Sequence, residues 1–238
     1  MNLLAFDTST DAMSIAVQRG QDGQDGATQV WQHTGPGGAQ TSAHLIPAIQ
    51  TLMNQAGLAF EQLDAIAFGC GPGSFTGLRT ACSVAQGLAF GAKLQVLPIG
   101  TLLVVAEEAR FQHAPEQGHF QVMALLDARM DEMYAGHCQF DNGQWSLIGD
   151  YGLVRPEDLA CEPGVALAGN VFGAYGERLP VGGVSRIDAL PTASALLRLA
   201  PALLAAGAGL PAEQALPLYI RDKVAKTTAE RMAEKAGL

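Results

Sequence analysis

The run from Gly69 to Gly91, GCGPGSFTGLRTACSVAQGLAFG, joins an apolar strand to an apolar helix through a Gly-Pro-Gly turn. Between Asp64 and Glu107 there is no acidic residue, and only Arg79 and Lys93 carry charge. A helix formed by this run would have small or apolar residues on almost every side, so it needs cover on more than one face. Either the fold buries this helix completely, or another protein chain supplies part of its cover.

The composition is that of a folded, acidic protein. The 238 residues are 48% hydrophobic and 16% charged, with a formal net charge of -9, which predicts packed domains and not a disordered chain. No apolar run approaches the ~18 residues of a membrane span, and no basic leader precedes the first apolar segment, so we expect a cytoplasmic protein. A sequence pI near 4.9 argues against a free-standing nucleic-acid binder, because phosphate contacts require a basic surface.

The spacing of apolar residues predicts an α/β protein. The predicted strands cover residues 3–6, 13–18, 28–33, 63–68, 94–97, 120–126, 133–140 and 145–153, with an extended segment over 218–224. The predicted helices cover residues 41–56, 74–90, 102–111 and 193–206. Three strands followed by helix, strand and helix could be one copy of a duplicated lobe. The chain length allows one large domain or two smaller ones, and we favour two lobes, an N-terminal lobe of residues 1–103 completed by 213–238 and a C-terminal lobe of residues 104–212.

The turn from Gly71 to Gly77 resembles a phosphate-binding loop, because it would place backbone N–H groups at the positive end of a helix. A P-loop requires GxxxxGK, but the last two glycines here are one residue too close and Leu78 replaces the lysine. A dinucleotide fingerprint also fails, because no acidic residue follows at the required distance. We favour a tight turn in which Ser74 or Thr76 caps the helix.

Three polar residues, Asp7, Thr8 and Ser9, follow the first predicted strand. They could hold a magnesium-bound phosphate with a carboxylate and two hydroxyls. The same residue types also satisfy hydrogen bonds within turns. We favour the turn, and keep the phosphate contact as an alternative.

Other polar groups give weaker signals. The segment DARMDEMY from Asp127 to Tyr134 could be a solvated hairpin tip, or its Arg129 could clamp a carboxylate or phosphate. The histidines form no HxxxH or HExxH pair, so we predict no metal site. They are His33, His44, His113, His119 and His137.

Five segments together resemble the TsaB (YeaZ) family. They are LLAFDTST, SAHLIPAI, FGCGPGSFTGLRTACSVAQGLAFG, DARMDEMYAG and PLYIRDKVA. The match is dense over residues 1–105 and depends on the last two segments beyond them. The resemblance implies an ASKHA fold, the two-lobed architecture of actin, Hsp70 and sugar kinases.

The resemblance also implies a role in making N6-threonylcarbamoyladenosine on tRNAs that read ANN codons. In this family TsaB is the non-catalytic scaffold, TsaD binds a metal and transfers the threonylcarbamoyl group to adenosine, and the ATPase TsaE joins the complex. No catalytic residue, metal or cofactor of the chain's own is implied, and ATP or ADP is a candidate ligand at the junction with TsaD. The chain would form a homodimer when alone and would meet tRNA only through the complex.

The family's dimer surface is formed by two helices that correspond here to residues 41–56 and 74–91. Small residues such as Ser83 and Ala85 would let a partner helix approach closely, and replacing either with a bulky charged residue should abolish association while the chain stays folded. Thr41 stands where many TsaB chains have histidine. The residues expected at the interface are Leu45, Ile49, Met53, Phe75, Leu78, Arg79, Ser83 and Gln86.

Two other functions remain open. An ATP-dependent small-molecule kinase of the same fold would use Asp7 and Thr8 at the phosphate. An M22-type glycoprotease is opposed by the missing metal ligands, because TsaD-like chemistry requires paired histidines on the first long helix and this helix offers only His44.

Overall fold

A computed structural model of the protein describes residues 1–20, 28–179 and 184–221. Its strands are β1 Leu3–Asp7, β2 Ala12–Arg19, β3 Gln29–Pro36, β4 Ala65–Gly71, β5 Gln95–Gly100, β6 His119–Asp127, β7 Met133–Asp141, β8 Gln144–Val154, β9 Ala166–Gly169 and β10 Arg186–Asp188. Its helices are α1 Thr41–Ala56, α2 Phe75–Ala92, α3 Thr101–His113, α4 Phe172–Tyr175 and α5 Ala193–Ala205. Residues 222–238 lie outside the described residues. They include the end of the predicted extended segment 218–224 and most of the segment 213–238 that was predicted to complete the N-terminal lobe.

The two sheets share one topology. The first has the strand order β3-β2-β1-β4-β5 and the second has the order β10-β9-β6-β7-β8. In each sheet three consecutive strands are antiparallel, the fourth strand pairs in parallel with the first, and the fifth pairs in parallel with the fourth. The predicted α/β class and the duplicated two-lobe plan are therefore confirmed for the described part of the chain.

Strand β1 is buried on both faces, and its alternation divides the first lobe into two cores. Leu4 and Phe6 pack in one core with residues of α1 and α2. Leu3 and Ala5 point to the opposite face and pack with α5, as the two-residue period of a strand requires. Helices α1 and α2 therefore cover the outer face of the first sheet, and α5 covers its inner face.

Helix α3 connects the lobes, and this corrects the predicted boundaries. Val104 packs in the core of the first sheet, whereas Leu102 and Val105 pack against the second sheet. A division at residue 103 therefore falls inside a helix that serves both lobes. Helix α5, which the sequence assigned to the second lobe, packs on the first sheet, so the chain returns to the first lobe before residue 213.

Candidate functional site

Helix α2 begins at a turn that the first lobe holds closely. The Ser74 hydroxyl accepts a hydrogen bond from the Gly77 backbone N–H at 3.5 Å, which confirms Ser74 as the cap. The Thr8 hydroxyl donates to the Gly77 carbonyl at 2.8 Å. A Cβ atom at position 77 would lie 1.9 Å from the Thr8 carbonyl oxygen, so only glycine allows this approach.

The two faces of α2 differ in burial. The inner face is packed into the first lobe through Gly77, Leu78, Ala81, Cys82, Ala85 and Ala89. The outer face is exposed at Thr76, Arg79, Ser83, Gly87, Phe90 and Gly91. Phe90 on this outer face is 78% exposed. Among the described residues, the chain therefore covers this helix, whose one charged residue is Arg79, on one side only.

Burial corrects half of the predicted interface. Leu45, Ile49 and Met53 are at most 1% exposed and belong to the core between α1 and the first sheet. Leu78 is 1% exposed, because it packs under the turn before α2. The apolar periodicity of these helices arises because these residues pack in the core of the same chain.

The other predicted interface residues are accessible. Phe75, Arg79 and Ser83 are exposed on the outer face of α2, and Gln86 is half-buried. Ala85, in contrast, is fully buried, so a bulky charged residue there would disrupt the fold of the isolated chain. The sequence expectation that such a chain stays folded is wrong for Ala85.

Helix α1 extends the exposed surface. Its outer face presents His44, Ile46, Gln50, Thr51 and Asn54. Ile46 is 51% exposed, and neither α1 nor α2 contains an acidic residue. We call the exposed residues of α1 and α2 together the helical surface.

A C-terminal segment, Ala215–Arg221, runs beside α2. The Ala215 carbonyl accepts hydrogen bonds from Gln86 Nε2 at 2.8 Å and Cys82 Sγ at 3.3 Å. Further along, the Tyr219 hydroxyl accepts a hydrogen bond from Arg79 Nε at 3.0 Å. The Tyr219 ring lies 5.3 Å from the ring of Phe75. This segment therefore fixes side chains at the start of the helical surface.

A cleft of about 600 Å³ lies between the lobes. The turn before α2, the β6–β7 hairpin tip and the C-terminal segment form its walls. At its mouth, Arg129 pairs with Asp11 at 2.8 Å and with Asp127 at 3.1 Å. Arg221 contacts Glu132 from the other side. The ion pair between Arg129 and Asp11 thus connects the hairpin tip of the second lobe to the first lobe. The carboxylates that Arg129 binds in this structure belong to the same chain.

The Asp7, Thr8 and Ser9 side chains are buried at 3% exposure or less. Asp7 Oδ1 accepts hydrogen bonds from the Ser9 backbone N–H at 2.8 Å and from the Ser9 hydroxyl at 2.6 Å. Asp7 Oδ2 is buried against Gly69 without a hydrogen-bond partner in the described residues. This arrangement matches the turn that the sequence favours.

Burial of Asp7 has a measurable consequence. Burial raises its pKa to about 6, against the opposing hydrogen bonds from Ser9. The native state therefore retains a proton that the unfolded chain releases between about pH 4 and pH 6, and stability falls as pH rises through this window. Asp7→Asn should remove that loss and stabilise the protein by about 3 kcal/mol at pH 7. Urea unfolding at pH 4, 5, 6 and 7 tests this, with exposed Asp150→Asn as the control; parallel pH profiles for Asp7→Asn and the original chain would contradict it.

Across 1–20, 28–179 and 184–221, no three His, Cys, Asp or Glu side chains are grouped so that they could hold a metal ion. The helices described here are too short or too polar to cross a bilayer.

The chain is similar in sequence to curated TsaB proteins along almost its whole length. The curated TsaB of Haemophilus influenzae, named a tRNA threonylcarbamoyladenosine biosynthesis protein, is 34% identical over 94% of this chain and 95% of its own length. The Escherichia coli TsaB is 32% identical over 94% of this chain and 96% of its own length. This chain belongs to the TsaB family. A family model described as "TsaD: tRNA N6-adenosine threonylcarbamoyltransferase" also matches residues 29–166.

Two solved structures of YeaZ-type proteins resemble this chain in both sequence and fold. YeaZ from Pseudomonas aeruginosa is 39% identical, with a TM-score of 0.77, over 92% of this chain and 99% of that chain. A second Pseudomonas aeruginosa structure, described as similar to peptidase YeaZ, is 40% identical with a TM-score of 0.79 over 92% and 99% of the two chains. The TsaB-family chain therefore shares the fold of these YeaZ structures over most of its length.

Sequence reasoning missed the C-terminal contacts of this TsaB-family chain. Tyr219 lies 140 residues after Arg79 in the chain, so no local spacing connects them. The PLYIRDKVA segment contributed only to the family resemblance. Its aromatic residue was the one available signal for contact with Phe75.

Proposed function

We propose that this chain acts in tRNA threonylcarbamoyladenosine biosynthesis as a non-catalytic subunit that docks on a TsaD-type threonylcarbamoyltransferase. The observation that carries the proposal is the exposed outer face of α2, with Phe90 78% exposed and no acidic residue on either helix of the helical surface. Charged residues are depleted at the centres of protein interfaces, whereas aromatic residues and arginine are enriched. A helix with this composition is suited to contact with another protein.

The geometry of the cleft supports a non-catalytic role. The Thr8 hydroxyl is bonded to the Gly77 carbonyl, and Asp7 lies beneath Gly69 and not on the cleft wall. Arg129 is paired with two carboxylates of the same chain. These contacts count against the kinase alternative, because the groups needed at a phosphate are already bonded or buried.

The remaining partners follow from the same proposal. The helical surface would form a symmetric homodimer when the TsaD-type subunit is absent. TsaE would join the assembled pair, and tRNA would be held by the other subunits because this chain has a net charge of -9. We propose that ATP or ADP lies at the junction with the TsaD-type subunit. We propose that this assembly works in the cytoplasm.

Reconstitution of the tRNA modification tests the function. TsaC, TsaD, TsaE, ATP, threonine, bicarbonate and an ANN-decoding tRNA should give the modified nucleoside only when this chain is added. The chain alone should give none, and it should not hydrolyse ATP. Mass spectrometry of digested tRNA measures the product. Equal yield without the chain would overturn the proposal, and ATP hydrolysis by the chain alone would favour the kinase.

A further inference from the structure

We propose that Arg79 is the anchor of the helical surface, that it binds a carboxylate of the TsaD-type partner, and that Tyr219 positions it for this contact. The inference rests on the proposed function and adds the chemistry of the contact. Arginine and tyrosine are the residue types that most often dominate the binding energy of an interface.

The Arg79 guanidinium is held in one place before any partner arrives. Its Cζ atom lies 3.8 Å from the centroid of the Phe75 ring. Its Nε donates a hydrogen bond to the Tyr219 hydroxyl at 3.0 Å, and the Tyr219 ring packs beside Phe75 at 5.3 Å. Such fixation reduces the side-chain entropy lost on binding.

This fixation uses one edge of the guanidinium and leaves the other for a ligand. Hydrogen bonding of Arg79 within the described residues is limited to Nε, and no carboxylate of those residues pairs with it. The terminal nitrogens can therefore offer the planar, two-pronged donor set that matches a carboxylate. Arg79 differs in this respect from Arg129, Arg178, Arg198 and Arg221, each of which pairs with an acid of this chain.

Charge determines which partner fits. A guanidinium that loses water at an interface requires a compensating charge. A second copy of this chain would bring α1 and α2, neither of which has an acidic residue. A TsaD-type subunit that provides a carboxylate opposite Arg79 meets this requirement, so Arg79 favours the heterodimer over the homodimer.

Titration calorimetry with a TsaD-type subunit tests the roles of both residues. Arg79→Gln should weaken binding about 10- to 100-fold, the range for a hydrogen bond to a charged group. Arg79→Lys should recover little of this affinity, because an ammonium group lacks the planar fork. Tyr219→Phe keeps the ring and removes the hydroxyl, and should weaken binding about 3- to 10-fold. In the Arg79→Gln background, Tyr219→Phe should have no further effect.

A matched control removes the other charge of the same region. Lys93 lies at the far end of α2, about 20 Å along the helix axis, in the left-handed conformation that asparagine tolerates. Lys93→Asn should change the affinity less than about twofold. The salt dependence of binding should fall in Arg79→Gln and persist in Lys93→Asn.

The outcomes separate the two proposals. If the original chain binds and supports modification, but Arg79→Gln binds equally well, the anchor is wrong and the proposed function stands. If Arg79→Gln weakens self-association as much as binding to the TsaD-type subunit, the assignment of the carboxylate to that partner is overturned. If the original chain neither binds nor supports modification, the proposed function itself fails. Unchanged thermal unfolding of the variants confirms that they are folded.

Discussion

Replacing both Ser83 and Gly87 with arginine should weaken binding to a TsaD-type subunit by about a thousandfold, or about 4 kcal/mol. Both residues are exposed on the outer face of α2, and a Cβ atom at Gly87 would meet nothing within 4 Å. The isolated chain therefore accommodates the new side chains. A docked partner does not, because the two bulky side chains would hold it away from the helix and their charges would lose water at the contact.

The same change of charge on another exposed surface is the matched control. Gln144→Arg with Ser146→Arg alters the exposed edge strand β8 of the second lobe, and should leave binding within about threefold of the original. Circular dichroism and thermal unfolding should show folded protein for both double variants. Tight binding by the α2 variant would show that the partner docks elsewhere.

The sequence predicts most of the fold because local patterns determine it. Helix α1 runs from Thr41 to Ala56 as expected, since its apolar period and the left-handed Gly57 at its end are both visible in the sequence. The stretch from Pro156 to Gly183 gives weak signals, and there the structure has the short elements β9 and α4. Elements of four residues are too short for a period to be recognised.

The candidate site was harder to predict than the fold. Periodicity identifies the apolar face of a helix, but an apolar face serves a chain's own core as readily as a partner. Leu45 and Ile49 were therefore assigned to the interface although they are buried in the core. Phe90 is the opposite case, because its place on the uncovered side of α2 became visible only in three dimensions. Contacts such as that between Arg79 and Tyr219 depend on tertiary structure.

Glu107→Gln should cost about 3–5 kcal/mol of stability at neutral pH, the usual cost of removing one partner from a buried ion pair. Glu107 is 3% exposed and accepts hydrogen bonds from Arg110 at 3.0 and 3.1 Å and from Arg198 at 2.8 Å. The Trp145 indole N–H donates to it at 3.0 Å. One carboxylate therefore ties together α3, α5 and β8, and its loss leaves the Arg110 guanidinium without a carboxylate partner and Arg198 with Glu108 alone.

The pH dependence distinguishes this carboxylate from a neutral packing group. Burial alone would raise the pKa of Glu107, but the hydrogen bonds from Arg110, Trp145 and Arg198 hold it below its usual value. The stabilisation is therefore complete above the pKa of an unfolded glutamate and is lost as pH falls through the lowered native pKa. Urea unfolding should show a large difference between the original chain and Glu107→Gln at pH 7 that narrows in acid.

A neighbouring glutamate provides the control for this measurement. Glu116→Gln changes an exposed side chain just after α3, and should alter stability by less than about 0.5 kcal/mol at any pH. A constant difference between Glu107→Gln and the original chain across the pH range would mean that its effect comes from packing. If the difference in unfolding free energy disappears in acid, the ionised Glu107 carboxylate is what holds α3 to α5 and β8. This pH dependence is opposite to that of Asp7 in the first lobe, whose ionisation destabilises the native state.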